Sequence, residues 1–94
     1  MYALIGDIGN TITKICLIET KTFKIMRIDY FRSSNISSKN FLYNNLKKII
    51  KKKSIHKVAL FSSVVPKYQS ILKKFLKKIY KIKLREIKEK GINK

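Results

Sequence analysis

Asp7-Ile8-Gly9-Asn10-Thr11 comes directly after the apolar run Tyr2-Ala3-Leu4-Ile5. An acid at the end of a strand, with Gly-Asn-Thr immediately after it, reads as a phosphate-facing turn. Glycine lets the backbone bend where a Cβ would clash. Successive N–H groups in such a turn form a concave anion site. The acid suits Mg²⁺, which takes one or two carboxylates together with phosphate oxygens. The alternative for Asp7 is a turn-capping acid bonded to nearby amides, and for Gly9-Asn10 an ordinary hairpin turn.

The strands on either side frame this turn. Residues 2–8 form a continuous apolar run, the pattern of a strand buried on both faces. Thr11 to Ile18 is a second strand, rich in β-branched residues. Glu19-Thr20-Lys21-Thr22 is a turn without Gly, and Phe23 to Phe31 a third strand. Ser33-Ser34-Asn35 reads as loop, with Ser37 and Ser38 as N-cap candidates for a first helix. In that helix Leu42, Leu46, Ile49 and Ile50 keep helical spacing, with Lys47, Lys48, Lys51 and Lys52 on the opposite face. Lys57 to Phe61 is a short strand ending in Ser62-Ser63. Pro66 fits the first position of a second helix, with Tyr68, Ile71, Leu72, Phe75, Leu76 and Ile79 on one side. Lys81 to Ile87 alternates Lys with apolar residues, as a lysine-protected edge strand does. The remainder to Lys94 is a polar tail with Gly91. The order is βββαβαβ, which predicts an α/β fold with one mixed five-stranded sheet and helices packed on it.

Composition bounds the partners. The 94 residues fit one small domain that buries roughly 60–68% of its unfolded surface. No run approaches the roughly 20 apolar residues of a membrane span, and no basic, apolar leader opens the chain. The expectation is a cytoplasmic protein without a membrane partner. Cys16 is the single cysteine and lies in an apolar strand, so it reads as an inert buried thiol. His56 precedes a strand without an acid partner and reads as a surface residue. The net charge is +18, from 23 Lys and Arg against five Asp and Glu. Only Arg27, Arg32 and Arg85 are arginines, the residue suited to bidentate phosphate contacts. The lysines are spread over several elements, and the chain is rich in Ile and Asn. That is the signature of global compositional bias, so nucleic-acid binding is expected to be weak and non-specific.

The element order and the acidic turn resemble the ribonuclease-H-like half-domain of the acetate kinase, sugar kinase, Hsp70 and actin superfamily. The pair of Asp7-Ile8-Gly9-Asn10-Thr11 and Ser62-Ser63-Val64-Val65-Pro66 narrows this to a resemblance to type III pantothenate kinases. Glu89-Lys90-Gly91-Ile92-Asn93-Lys94 is a looser match to that family's Gly-Ile-Lys-Thr segment, with Asn93 in place of Lys. The resemblance implies that Asp7, Ile8, Gly9, Asn10, Thr11, Ile12, Thr13 and Lys14 bind ATP, with Asp7 at the metal. Lys14 is open between a phosphate contact and a solvated strand lysine. Ser62 and Ser63 would face the substrate cleft, or serve only as turn and cap residues before Pro66. The resemblance also implies Mg²⁺, a monovalent cation (K⁺ or NH₄⁺), pantothenate as substrate and a homodimer. In that family a second ribonuclease-H-like domain carries the general base, so residues 1–94 are expected to be the first of two domains and inactive alone. The rival expectations are a non-enzymatic regulator that binds nucleic acid, and a truncated remnant. A kinase for sugars or acetate is a further possibility, against which Ser62 to Pro66 speaks.

Overall fold

A computed structural model describes residues 1–51 and 53–87. Five strands form one mixed sheet in the order β3-β2-β1-β4-β5: β1 (Tyr2–Ile8), β2 (Ile12–Glu19), β3 (Ile25–Arg32), β4 (Val58–Ser63) and β5 (Lys83–Glu86). The first three form an antiparallel meander, and β4 and β5 join parallel to β1. Helix α1 (Lys39–Ile50) links β3 to β4, and α2 (Pro66–Phe75) links β4 to β5 through a π-helical turn at Leu76–Tyr80. This is the expected ribonuclease-H-like βββαβαβ half-domain. The tail motif Glu89 to Lys94, and Lys52 of the lysine face of α1, lie outside the described residues.

Local chemistry accounts for the element ends. Ser38 is the N-cap of α1, its side chain accepting the Phe41 N–H at 3.2 Å. Pro66 opens α2, where its missing N–H costs nothing. The third strand starts later than its apolar pattern suggests. The preceding turn has no glycine and places Phe23 at φ 59°, in the left-handed region. Pairing resumes only at Ile25. Ser33–Ser37 is not irregular loop but a 3-10 helix, held down by the fully buried Ile36 and Ser33.

The core lies between one face of the sheet and the two helices. Leu4 and Ile8 of β1, Ile15 and Leu17 of β2, Ala59 and Phe61 of β4 and Leu84 of β5 meet Leu42, Leu46, Ile49, Leu72 and Leu76. Tyr68, Ile71 and Phe75 pack at its border, whereas Ile79 is exposed. Gly6 is required by this packing, because a Cβ there would stand 2.2 Å from the Phe61 ring. One expectation is corrected. The apolar run of β1 predicts burial on both faces, but its second face (Ala3, Ile5, Asp7) is half-buried to exposed. Both helices pack on the other side. Ile12, Ile28, Tyr30 and Leu60, paired in register with this second face, are also exposed. Cys16 is buried and free, as expected.

Candidate phosphate-binding site

The site begins where β1 ends. Strand register places Lys14 of β2 and Ser62 of β4 directly beside Asp7, one on each side. Cross-strand partners share a sheet face. The three side chains therefore form a row on the face away from the helices. Asp7 is exposed, and the Ser62 hydroxyl donates to its Oδ1 at 2.7 Å. That bond restrains the carboxylate, and among the described residues Oδ2 has no hydrogen-bond partner. Among the described residues Lys14 forms no ion pair with Asp7. Lys14 is exposed.

The turn leaves this row at Gly9. The Gly9 N–H donates to the Ile12 carbonyl at 3.0 Å, closing residues 9–12. A Cβ on Gly9 would lie 2.9 Å from that same carbonyl, so glycine is needed for the close approach. The reciprocal bond, from the Ile12 N–H to the Gly9 carbonyl, is absent. Among the described residues the N–H groups of Asn10 and Thr11 also donate to no protein acceptor. Asn10, Thr11 and Ile12 are all exposed. Among the described residues, three consecutive amides thus have no partner within the protein and lie in the turn that follows a carboxylate, a grouping of the kind that can take an anion.

The other sequence candidates separate by geometry. The side chains of Ile8 and Thr13 are fully buried, so only their backbones border the turn. Ser63 is occupied locally, accepting the Val65 N–H and donating to the Val65 carbonyl, both at 3.1 Å. That is turn chemistry ahead of Pro66, and it separates Ser63 from Ser62. His56 accepts the Val58 N–H at the opposite end of the parallel strands β1 and β4, remote from Asp7. Sequence reasoning missed Ser33. Its buried hydroxyl donates to the Gly9 carbonyl at 2.7 Å, and its N–H donates to the Thr11 carbonyl at 2.8 Å. The available signal was a serine directly after a strand whose neighbour ends in the turn.

Asp7 suits Mg²⁺ by donor type and exposure. Among the described residues no group of three or more His, Cys, Asp or Glu side chains could hold a metal alone. Mg²⁺ takes one or two carboxylates together with phosphate oxygens, and Asp7 is the carboxylate at this turn.

Fold and site together define an α/β half-domain with an acidic turn and unpartnered amides at the end of its central strand. The family model for type III pantothenate kinase matches residues 3–94. The chain belongs to the type III pantothenate kinase family. It is 47% identical over 92 residues to a curated type III pantothenate kinase of Pelagibacter ubique (strain HTCC1062), covering 97% of this chain and 36% of that relative. The chain thus spans about a third of the relative's length. A solved structure, the Aquifex aeolicus member of the Ppx/GppA family, superposes over 93% of this chain and 35% of its own, with a TM-score of 0.44 and 13% identity.

Proposed function

We infer that this chain supplies the ATP-phosphate side of a kinase that transfers the γ-phosphoryl group of ATP to pantothenate, the first step of coenzyme A synthesis. The observation that carries this reading is the Asp7 carboxylate, fixed by Ser62, beside the three free amides of residues 10–12. Family membership supports the choice of substrate.

Phosphoryl transfer asks the protein for positioning and charge stabilisation more than for covalent chemistry. Each group at the site has a part in that. The amides of Asn10, Thr11 and Ile12 donate to phosphate oxygens. Lys14, on the same row, adds a point charge that lowers the cost of gathering phosphate oxygens there. Asp7 would hold Mg²⁺, and the Ser62 hydroxyl, bonded to its Oδ1, would keep the carboxylate from rotating away. Mg²⁺ neutralises phosphate charge when bound. None of Asp7, Lys14 and Ser62 is placed as a base for the pantothenate hydroxyl. That role and the monovalent cation site fall to the second domain characteristic of the family. Residues 1–94 are the first domain in this reading, and they do not turn over pantothenate unaided.

The experiment is an equilibrium titration of the 94-residue chain with ATP, with and without Mg²⁺, for wild type and Asp7→Asn. Wild type binds more tightly with Mg²⁺. Asp7→Asn loses that gain, by roughly tenfold, the worth of one charge-assisted contact. Equal Mg²⁺ dependence in the two proteins contradicts the assignment of Asp7.

A further inference from the structure

Among the described residues, Thr13 and Ser33 are the buried polar side chains, both fully enclosed. Burying a hydroxyl is costly unless it is bonded, so each of them needs a partner. They bond each other, Oγ1 to Oγ at 2.7 Å. The Ser33 hydroxyl has one proton, and that proton goes to the Gly9 carbonyl at 2.7 Å. Thr13 is therefore the donor to Ser33. The result is a directed chain, from Thr13 to Ser33 to the Gly9 carbonyl, tied by the Ser33 N–H to the Thr11 carbonyl at 2.8 Å. Two carbonyls of the turn are thus drawn toward the protein.

This explains a gap in the ladder. The β1–β2 register pairs Ile8 with Thr13, so the next hydrogen-bonded pair is Gly9 with Ile12. A closed hairpin would make both bonds of that pair. Only the Gly9 N–H to Ile12 carbonyl bond forms, while the Gly9 carbonyl accepts instead from the Ser33 hydroxyl. Among the described residues the Ile12 N–H is left without a partner, as are those of Asn10 and Thr11.

We propose that Ser33, oriented by Thr13, is the positioning residue that turns an ordinary two-strand hairpin into an anion-binding turn. It touches no ligand. It acts by drawing the Gly9 carbonyl toward Ser33 and out of line with the Ile12 N–H, which leaves the Ile12 amide unpaired and fixes the turn around its neighbours. Only the nature of the ligand rests on the reading of the turn as an ATP-phosphate site. The holding of the turn does not.

The test uses the ¹⁵N-labelled 94-residue chain, inorganic pyrophosphate as probe, and four variants. Ser33→Ala removes the clamp. Thr13→Val keeps the shape but removes the donor that orients Ser33. Thr13→Ser keeps the hydroxyl and loses a core methyl. Ser33→Thr keeps the donor, should Ser33→Ala fail to fold. Two quantities are read at Asn10, Thr11 and Ile12: the heteronuclear NOE without ligand, and the pyrophosphate dissociation constant. Ser33→Ala lowers the NOE of all three amides and weakens pyrophosphate binding by roughly tenfold, about one hydrogen bond's worth. Thr13→Val shifts both quantities the same way by less. Thr13→Ser, and Ser33→Thr where it is needed, leave both at wild-type values, even though Thr13→Ser melts at lower temperature. An unchanged turn in Ser33→Ala overturns the proposal. So does a loosening in Ser33→Ala and Thr13→Ser that follows the loss of stability alone. If wild type does not bind pyrophosphate at the turn, the phosphate-site reading falls, and the NOE comparison still decides the clamp.

Discussion

Asp7, Gly6 and Ser62 show how far one position on a strand governs its neighbours. Asp7 points away from the helices because Leu4, Gly6 and Ile8 point toward them. Gly6 has no side chain because the Phe61 ring fills the space beside it. Gly6→Ala is therefore expected to destabilise the fold by about 1–3 kcal/mol, the range for overpacking a core. Thermal unfolding should register this as a drop of roughly 4–8 °C for each kcal/mol. Ligand contacts need not change. Ser62→Ala is expected to do the reverse. It leaves melting close to wild type, since the site is exposed, and weakens Mg²⁺-dependent nucleotide binding several-fold by releasing Asp7. Comparable melting points for Gly6→Ala and wild type would contradict the packing argument.

At the scale of elements, the turns carry more information than the strands. The turn after β2 is held by Glu19. Its Oε1 accepts the N–H groups of Lys21 and Thr22, each at 2.9 Å, and the Thr22 hydroxyl at 3.1 Å. Hydrogen bonding from the Thr22 amide, with smaller contributions from the Thr22 hydroxyl, the Lys21 amide and the N-terminal amino group, outweighs desolvation and holds this carboxyl below the usual glutamate range. The folded-state value lies below the unfolded one. The contribution to stability is thus complete above the unfolded value and is lost as pH falls through the folded one. Below about pH 4 the Phe23 and Lys24 amides should lose hydrogen-exchange protection ahead of the sheet centre. Glu19→Gln should abolish that pH dependence.

The elements themselves were largely legible. An apolar run, β-branched stretches and one alternating segment located the five strands, and helical spacing both helices, because burial selects apolar residues at the positions that face the core. Asp7 and its turn were legible because glycine, a short polar run and a preceding strand report local backbone needs. The 3-10 helix at Ser33–Ser37 was not, since a serine-rich segment reads the same whether it is solvated or folded inward. The clamp on Gly9 was not either. It joins residues 24 positions apart, and neither residue type signals burial. The uncovered second face was hidden because an apolar run reports hydrophobicity and not what lies above each face. Phe23 in the left-handed region likewise contradicts its own steric preference, so β3 starts later than its residue pattern indicates.

Across the whole molecule, charge is distributed unevenly. Neither α1, α2 nor the turn after α2 carries an acid, while Asp7, Glu19, Asp29 and Glu86 lie on the strands. The helical layer is accordingly a one-signed, lysine-rich surface, distinct from the strand-end row at Asp7. If such a surface meets duplex DNA, the contacts expected are to phosphates alone. Binding should be insensitive to sequence and should fall by roughly 10³-fold or more between 50 and 200 mM salt, the loss for a protein making about 6–10 phosphate contacts. Binding that survives 200 mM salt and selects a sequence would favour a regulatory role over a kinase role.

The central claim is that the turn after β1 takes the phosphates of ATP. It is tested most directly by titrating the ¹⁵N-labelled chain with MgATP and following each backbone amide. The account predicts that Asn10, Thr11 and Ile12 shift most and saturate together with Asp7 and Lys14, while amides of the lysine-rich helices α1 and α2 move little. Saturable shifts confined to the helices, with residues 9–12 unmoved, would contradict it.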